Sequence, residues 1–197
     1  MESRVPKAEV TETADLIRRF ISGEDRAFNE IVKKYHDRLE KNAEAILGNR
    51  ADALDMVQEA FVNAYFHRKS FRGDSALYTW LYRILYNCCI STLRRKKFQK
   101  YFVSDDWGKT IEIPSNSPDP FGETARSEIR TVIDKALQKL PPRQRMVFIM
   151  HQIDGLKHGE IADIMEISEG SVKASYFHAV RKLRDLLSDF GGAYGLF

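Results

Sequence analysis

A row of carboxylate and amide side chains recurs along one predicted helix in the N-terminal half of the chain. The row consists of Asp52, Asp55, Gln58 and Glu59, whose spacing places them along one helix face. Carboxylates in a row can serve acid–base or metal chemistry, yet no histidine or cysteine is spaced to join them as metal ligands. A solvated helix face and a surface that docks on a basic partner are therefore the two main interpretations.

A second set of side chains combines an aromatic ring, an amide and cations on one face of a later helix. This stripe comprises Trp80, Arg83, Asn87, Ser91 and Arg94, and the helix ends on Arg94, Arg95, Lys96 and Lys97. A ring that stacks on an unpaired base, an amide that binds a base edge and cations that hold the backbone suit single-stranded nucleic acid. The polar loop over residues 71–75 can receive an extruded base. The alternative is a buried tryptophan, a core asparagine and a solvated basic helix end.

The segment from Lys157 to Leu187 has the pattern of two helices joined by a tight connection. Apolar residues from Ile161 to Met165 predict a short helix, and Ser168 can cap the helix that follows. A buried stripe is predicted at Val172, Tyr176, Ala179, Leu183 and Leu186. The opposite, outward stripe is Lys173, Ala174, Phe177, His178, Arg181 and Arg184. This pattern is typical of a helix-turn-helix that enters the major groove, and also of an ordinary amphipathic pair within a helical domain.

Helices must position these side chains, because the sequence shows helical periodicity and no strand alternation. No proline occurs from Val10 to Lys100, and helix breaks are predicted near Gly23, Gly48 and Gly73. The predicted fold class is all-α, with two small helical domains over residues 10–100 and 126–190 joined by an extended acidic linker over residues 101–125. The C-terminal domain contains the helix-turn-helix.

Composition excludes several classes of protein. With 197 residues, 43% of them apolar, and a net charge of +3, the chain is neither disordered nor a polycation. The two cysteines are adjacent, which argues against a disulfide-stapled secreted fold. No signal peptide and no membrane-spanning apolar run is found, so we expect a cytoplasmic protein. No cofactor and no metal site is predicted, since the five histidines lack the spacing of metal ligands.

Several ordered motifs together resemble one known family. They are Asp52–Phe61, Phe71–Ser75, Tyr78–Ile84 with Asn87, Leu140–Arg145, Asp154–Leu156, Glu160–Ala162 and Gly170–Lys173. In these motifs and their order the chain is similar to the extracytoplasmic-function (group IV) sigma factors of bacterial RNA polymerase, of the RpoE and SigW type. The resemblance implies an alternative sigma factor without catalytic activity. Such a protein directs core polymerase to specific promoters, here in an extracytoplasmic or stress response.

The resemblance also implies partners and contact residues. Asp52, Asp55, Gln58 and Glu59 would dock on the clamp helices of the β′ subunit. The −10 element of promoter DNA would be opened and bound by Phe71, Arg72, Asp74, Ser75, Trp80, Arg83, Asn87, Arg94 and Arg95. The −35 element would be bound as a duplex by Ser171, Lys173, Ala174, Phe177, His178 and Arg181. Core packing is favoured over contact with the β flap for Leu137, Leu140, Val147 and Phe148. A cognate anti-sigma factor is a further expected partner, and no direct membrane insertion is expected.

The predicted recognition helix departs from the family pattern at three positions. Family members usually carry arginine where Ser175, His178 and Val180 stand, which weakens the expected binding to phosphates and leaves the −35 sequence undefined.

Other functions stay open at the level of sequence. The helix-turn-helix would also suit a stand-alone transcription regulator that binds duplex DNA without polymerase. The carboxylate row would suit a nuclease, although no phosphate-binding loop, nucleophile motif or metal triad accompanies it. Polymerase dependence separates the first two functions, and metal-dependent turnover would indicate the third.

Overall fold

A computed structural model describes residues 7–73, 75–103 and 124–194, and this part of the chain is helical with no strand. The α-helices are α1 (Lys7–Ser22), α2 (Asp25–Leu47), α3 (Arg50–His67), α4 (Leu77–Val103), α5 (Thr124–Gln138), α6 (Pro142–Phe148), α7 (His158–Met165) and α8 (Glu169–Tyr194). A 3₁₀ turn follows α3 over Arg68–Ser70, and a π-helical turn follows α6 over Ile149–Ile153. The all-α prediction is confirmed. No helix in the described ranges has the length and apolarity needed to cross a membrane.

The ends of the N-terminal helices lie at glycine and capping residues that can be recognised in the sequence. Gly48 ends α2 in the left-handed conformation, with φ of 69°, and donates its N–H to the Glu44 carbonyl at 2.7 Å. Asn49 then caps α3, because its Oδ1 accepts the N–H of Asp52 at 2.9 Å. Gly23 and Gly73 also have positive φ and lie between helices. The predicted breaks at all three glycines are therefore confirmed.

The N-terminal helices form a bundle in which α3 and α4 pack against each other and against α2. Its interior contains fully buried aliphatic and aromatic side chains, namely Phe20, Ile31, Leu39, Ile46, Val57, Leu81, Tyr82 and Leu85. Each lies on the inward face of its helix, so the outer faces of α3 and α4 remain available for contacts with other molecules.

The C-terminal helices do not form an isolated unit. A small cluster made by Ala136, Leu137, Leu140, Ala179 and Leu183 joins α5 to α8. The remaining buried side chains of α6, the π-helical turn and α7, such as Met150, Ile161 and Ile164, belong to the same contiguous core as the N-terminal bundle. The two predicted domains thus share a core. Helix α4 extends to Val103 and α5 begins at Thr124, so both reach into the predicted linker, whose residues 104–123 lie outside the described ranges.

Candidate nucleic-acid interface

The outer face of α3 carries the predicted row of polar side chains, but its members differ in availability. Asp52 forms an ion pair with Lys96 of the basic end of α4. Asp55, Gln58 and Glu59 point outward and are exposed. The same helix face continues into apolar side chains, because Val62 and Phe66 are 52% and 73% exposed. Neither residue was predicted from the sequence, although their positions seven and eleven after Asp55 place them on that face.

A groove of about 450 Å³ runs between α3 and α4. It is lined by Glu59, Asn63, His67, Ser70, Trp80, Ile84, Asn87, Cys88 and Ser91. The groove therefore unites the carboxylate row of α3, through Glu59, with the predicted single-strand stripe of α4, through Trp80 and Asn87. Asn63 and His67 were not predicted, but they follow Glu59 at steps of four and so share its helix face.

The aromatic residues beside the groove have two different environments. Trp80 is partly buried against Phe71 and Phe20, with ring centroids 5.4 and 6.4 Å apart, and its remaining surface lines the groove. Phe71 is only 5% exposed, so in this conformation its ring supports Trp80 and does not face the solvent. The alternative of a packed tryptophan thus describes part of Trp80, while stacking of its ring on an unpaired base stays a prediction.

The cations and polar groups of the predicted −10 set are also placed differently from one another. Arg72, Ser75, Asn87, Arg94 and Arg95 are exposed, and Asp74 lies outside the described residues. Arg83 is partly buried, and its guanidinium donates a hydrogen bond of 2.7 Å to the Asp163 carbonyl of α7. Arg83 is therefore engaged by the C-terminal helices in this conformation.

Neither cysteine near the groove is suited to nucleophilic chemistry. The Cys88 thiol accepts a hydrogen bond from the Asn63 amide at 3.6 Å. Burial raises the pKa of Cys88, and the nearby Glu59 carboxylate raises it further. Burial also raises the pKa of Cys89 to about 12. Both thiols thus stay protonated at neutral pH and act as small apolar side chains.

The second candidate surface is the exposed face of α8. Ser168 accepts the N–H of Ser171 at 3.2 Å, which confirms it as the cap of this helix. On the predicted buried stripe Val172, Ala179 and Leu183 are buried, whereas Tyr176 and Leu186 are only partly buried. On the outward stripe Phe177 is 63% exposed, whereas Lys173 pairs with Glu169 at 2.7 Å and lowers the pKa of that carboxyl.

Two histidines and a tyrosine pack together where α7 and α8 meet the π-helical turn. The rings of His151 and His158 stack at 4.4 Å, and the Tyr176 ring meets the His151 ring edge-on at 4.7 Å. His151 also bonds the Leu156 carbonyl through Nδ1 at 2.9 Å. Burial lowers the pKa of His158, and His151 and Lys173 lower it further. This cluster supports the start of the helix-turn-helix from behind its exposed face.

Four residues predicted as core or β-flap contacts pack in the core, Leu137, Leu140 and Phe148 in the cluster that joins α5 to α8 and Val147 in the core shared with the N-terminal bundle. Leu137, Leu140 and Val147 are 3%, 2% and 0% exposed, and Phe148 is partly buried. Their predicted core packing is confirmed. Among the described residues, His36, Asp37 and Glu40 of α2 bring possible metal ligands together, but Glu40 already pairs with Arg50 at 3.3 Å. That cluster is separate from both candidate surfaces and adds no chemistry to them.

Comparison with known proteins identifies the family of the chain. A family model described as Sigma-70 region 2 matches residues 31–99, and one described as Sigma-70, region 4 matches residues 130–183. The chain is 34% identical over 175 residues to the ECF RNA polymerase sigma-E factor of Escherichia coli K12, covering 83% of this chain and 88% of the relative. It is 33% identical over 178 residues to the ECF RNA polymerase sigma factor SigW of Bacillus subtilis, covering 88% and 95%. The chain belongs to the extracytoplasmic-function sigma factors.

Solved structures agree with this assignment. CnrH, solved in complex with the cytosolic domain of CnrY, superimposes with a TM-score of 0.66 at 25% identity, covering 90% of this chain and 97% of CnrH. RpoE of Bartonella quintana, solved with the anti-sigma factor NepR, has the same fold, with a TM-score of 0.66 at 22% identity and coverage of 82% and 96%. As a sigma factor, the protein is a transcription initiation subunit and not an enzyme.

The two family matches assign the helices to two regions of a sigma factor. The region 2 match begins within α2 and ends in α4, and thus contains the α3 row and the groove. The region 4 match runs from α5 into α8 and contains the helix-turn-helix. We refer to these helices below as region 2 and region 4 of the sigma factor.

Proposed function

We propose that this sigma factor binds core polymerase through the outer face of α3 and captures an unpaired −10 base in the groove beside it. The proposal rests chiefly on the shared position of Glu59, which belongs to the α3 row and also lines the groove with Trp80 and Asn87. Polymerase bound to α3 would border the groove, so DNA opened there would be held between the two proteins.

The polymerase contact combines polar and apolar side chains. Asp55, Gln58 and Glu59 supply charge and hydrogen-bonding groups for the basic side of a β′ helix. Val62 and Phe66 extend the surface with exposed apolar area, and burial of one such phenylalanine contributes about 1.5–3 kcal/mol. Asp52 contributes less directly, because its carboxylate is already paired with Lys96.

The groove has the properties required to hold a base. Its volume of about 450 Å³ lies within the range of small-molecule sites, roughly 300–1,000 Å³. Trp80 offers a ring for stacking, Asn87 offers an amide for a base edge, and Arg94 and Arg95 provide cations further along α4. Capture of a flipped base offsets the few kcal/mol of unstacking that opening the duplex requires.

The −35 element binds the outward face of α8 in this proposal. Phe177 is exposed and can contact thymine methyl groups, while Arg181 and Lys173 can reach bases or phosphates. Lys173 must exchange its ion pair with Glu169 for the DNA contact. The β and β′ subunits, promoter DNA and a cognate anti-sigma factor are the proposed partners, in the cytoplasm and under a stress stimulus.

Transcription in vitro tests the function directly. Purified protein is mixed with sigma-free bacterial core polymerase and a pooled promoter library, and the transcripts are sequenced. We expect specific start sites that are lost with Asn87→Ala and with the Lys173→Ala/Phe177→Ala double variant. Lys33→Ala, an exposed lysine of α2 that belongs to neither predicted contact set, is the matched control and should preserve the start sites.

A stand-alone regulator is the other function that the helix-turn-helix permits. Retention of specific duplex DNA on the free protein in a gel-shift assay, with no transcripts and no pull-down of core polymerase, would favour the regulator and overturn the sigma-factor mechanism proposed for α3 and the groove.

A further inference from the structure

An arginine at the end of α3 contacts the helix that it follows. Arg68 is the first residue of the 3₁₀ turn after α3, and its Nη1 donates a hydrogen bond of 2.7 Å to the Tyr65 carbonyl. Its guanidinium also lies over the Tyr65 ring, 4.6 Å from the ring centroid. A cation that binds a carbonyl of the last helical turn is also stabilised by the negative end of the helix dipole. Arg68 thus fixes the direction in which the chain leaves α3.

The same guanidinium reaches the connection between α1 and α2. Gly23 lies in this connection with φ of 92°, a conformation that favours glycine. A β-carbon at Gly23 would lie 2.8 Å from Nη2 and 3.3 Å from Nε of Arg68. Tyr65 is tied to the start of α2 as well, because its hydroxyl donates to Asp25 Oδ1 at 3.1 Å. Arg68 therefore joins the end of α3 to the start of α2, against a glycine that leaves room for it.

Stability alone does not explain an arginine at this position. The Nε atom of Arg68 is buried and has no hydrogen-bond partner within the part of the chain that the structure describes. A buried donor without a partner destabilises the folded state, and an apolar side chain of similar length would avoid that loss. The use of this arginine is therefore to be sought in the turn that it holds.

The turn forms one side of the groove between α3 and α4. His67 and Ser70 line the groove from this side, and Trp80 lines it from α4. Ser70 Oγ donates to the His67 carbonyl at 2.8 Å, and the Arg68 carbonyl accepts the N–H of Phe71 at 3.2 Å. The Phe71 ring then packs on the Trp80 ring, with the centroids 5.4 Å apart. The position of the turn thus sets the width of the groove beside Trp80.

We propose that Arg68 is a positioning residue for capture of the −10 base. Its guanidinium fixes the turn, so that His67 and Ser70 present their hydrogen-bonding groups at a constant distance from Trp80. Hydrogen bonds distinguish one base from another only when donor and acceptor are held in distance and direction. Arg68 acts through the turn and not by contact with the base. The inference rests on the proposed function of the groove, whereas the rigidity of the turn is a property of the free chain.

Base discrimination by the full-length protein tests the positioning role. Labelled non-template-strand oligonucleotides, taken from a promoter recovered by transcription, carry each of the four bases at the −10 position of strongest preference, and fluorescence anisotropy measures their binding. We expect the parent protein to favour the promoter base by about tenfold and Arg68→Met to favour it by less than about threefold. The urea midpoint of Arg68→Met should stay near that of the parent, because the lost hydrogen bond is offset by removal of the unpartnered donor.

Two variants separate position from charge. Lys69→Met is the matched control, because it removes a cation from the same turn at an exposed position. It should weaken binding of all four oligonucleotides equally and keep the preference for the promoter base. Arg68→Lys keeps the charge and the long stem, so it should fold even where Arg68→Met does not. It lacks the planar guanidinium that contacts Tyr65 and Gly23, and should lose the preference for the promoter base.

Amide hydrogen exchange measures the rigidity of the turn without DNA. The Phe71 N–H donates to the Arg68 carbonyl, so its exchange rate reports opening of the turn. We expect exchange about tenfold faster in Arg68→Met than in the parent, and unchanged in Lys69→Met. Circular dichroism checks that each variant retains its helix content.

The outcomes separate this inference from the proposed function. Base discrimination retained in folded Arg68→Met and Arg68→Lys, or an unchanged exchange rate at Phe71, would overturn the positioning role. Loss of discrimination in both variants with faster exchange, and its retention in Lys69→Met, would support it. Absence of base discrimination in the parent protein would count against the proposed function of the groove. The exchange rate at Phe71 would then decide alone whether Arg68 fixes the turn.

Discussion

Glu59 is the residue at which the two candidate surfaces of region 2 meet. Its carboxylate is exposed on the outer face of α3 and also lines the groove that would receive a DNA strand. A carboxylate in that position repels the phosphates of an incoming strand. A basic polymerase helix that pairs with Glu59 would remove this repulsion, which links polymerase binding to DNA capture at a single side chain.

We therefore predict that Glu59→Gln raises the affinity of the free sigma factor for single-stranded −10 DNA. Interactions of exposed charges are worth about 0.2–1 kcal/mol, so we expect an increase of up to about fivefold at low salt. The increase should disappear as added salt screens the charges. Fluorescence anisotropy with a labelled non-template-strand oligonucleotide, taken from a promoter recovered by transcription, measures the effect.

Asp55→Asn is the control for this prediction. Asp55 lies on the same helix face, one turn before Glu59, but it does not line the groove. Both substitutions should weaken core polymerase binding, whereas only Glu59→Gln should strengthen binding of the single strand. Equal effects of the two variants on the oligonucleotide would mean that the whole face acts through its net charge and that Glu59 has no separate role at the groove.

At the scale of elements, α7 begins with a histidine whose imidazole packs against two other rings. His158 is the first residue of α7, and its neighbours are His151 from the π-helical turn and Glu169, Lys173 and Tyr176 from α8. Burial is the main cause of its lowered pKa, followed by the charges of His151 and Lys173. A protonated imidazole at a helix N-terminus is also opposed by the helix dipole.

This lowered pKa predicts that acid destabilises region 4. At pH values above about 6.5, the pKa of a histidine in the unfolded chain, the imidazole is neutral in both the folded and the unfolded state, so the free energy of unfolding is not reduced by its protonation. As the pH falls below that value, the unfolded chain takes up a proton that the folded chain resists, and stability is lost. Urea midpoints at pH 7.5 and 5.5 should differ less in His158→Gln than in the parent. His178→Gln, on the exposed face of α8, should keep the parent difference.

The elements themselves could be predicted well from sequence, because their signals are local. Gly48 requires a left-handed conformation and Ser168 offers a capping oxygen, so the helix ends near them follow from residue type. The outward stripe of α8 follows from helical periodicity in the same way. The role of Phe71 was harder to infer, because an aromatic residue in a polar loop suits base stacking and packing against Trp80 equally well.

The docking of region 4 on region 2 could not be predicted from such local signals. Arg38 and Asp154 are 116 positions apart, and each is an ordinary charged residue in its own segment. Asn42 gave one local indication, since it falls on the buried face of α2 and such an amide needs a partner. The identity of that partner depends on how two helical units pack, which hydrophobic periodicity does not specify.

At the scale of the whole molecule, the shared core predicts that the two regions unfold cooperatively. Ile164 of region 4 is 1% exposed and belongs to the same contiguous core as Tyr82 and Leu85 of region 2. Trp80 lies at the edge of that core, against Phe20 and Phe71. A cavity in region 4 should therefore destabilise the structure around a tryptophan in region 2.

We predict that Ile164→Ala shifts the unfolding transition reported by Trp80. Deletion of a buried isoleucine side chain destabilises a core by about 2–5 kcal/mol. In a protein that unfolds in two states, every spectroscopic probe reports the same shifted transition. Urea unfolding is followed by Trp80 fluorescence, with Trp107→Phe as the background so that one tryptophan remains. Lys182→Ala, an exposed change on α8, should leave the midpoint in place. A lower midpoint by circular dichroism with an unchanged Trp80 midpoint would mean that the regions unfold independently. With a single shifted transition in Ile164→Ala, addition of Asp154→Asn should divide that transition in two, because it removes the carboxylate charge of region 4 that accepts hydrogen bonds from Arg38, Asn42 and Tyr78 of region 2.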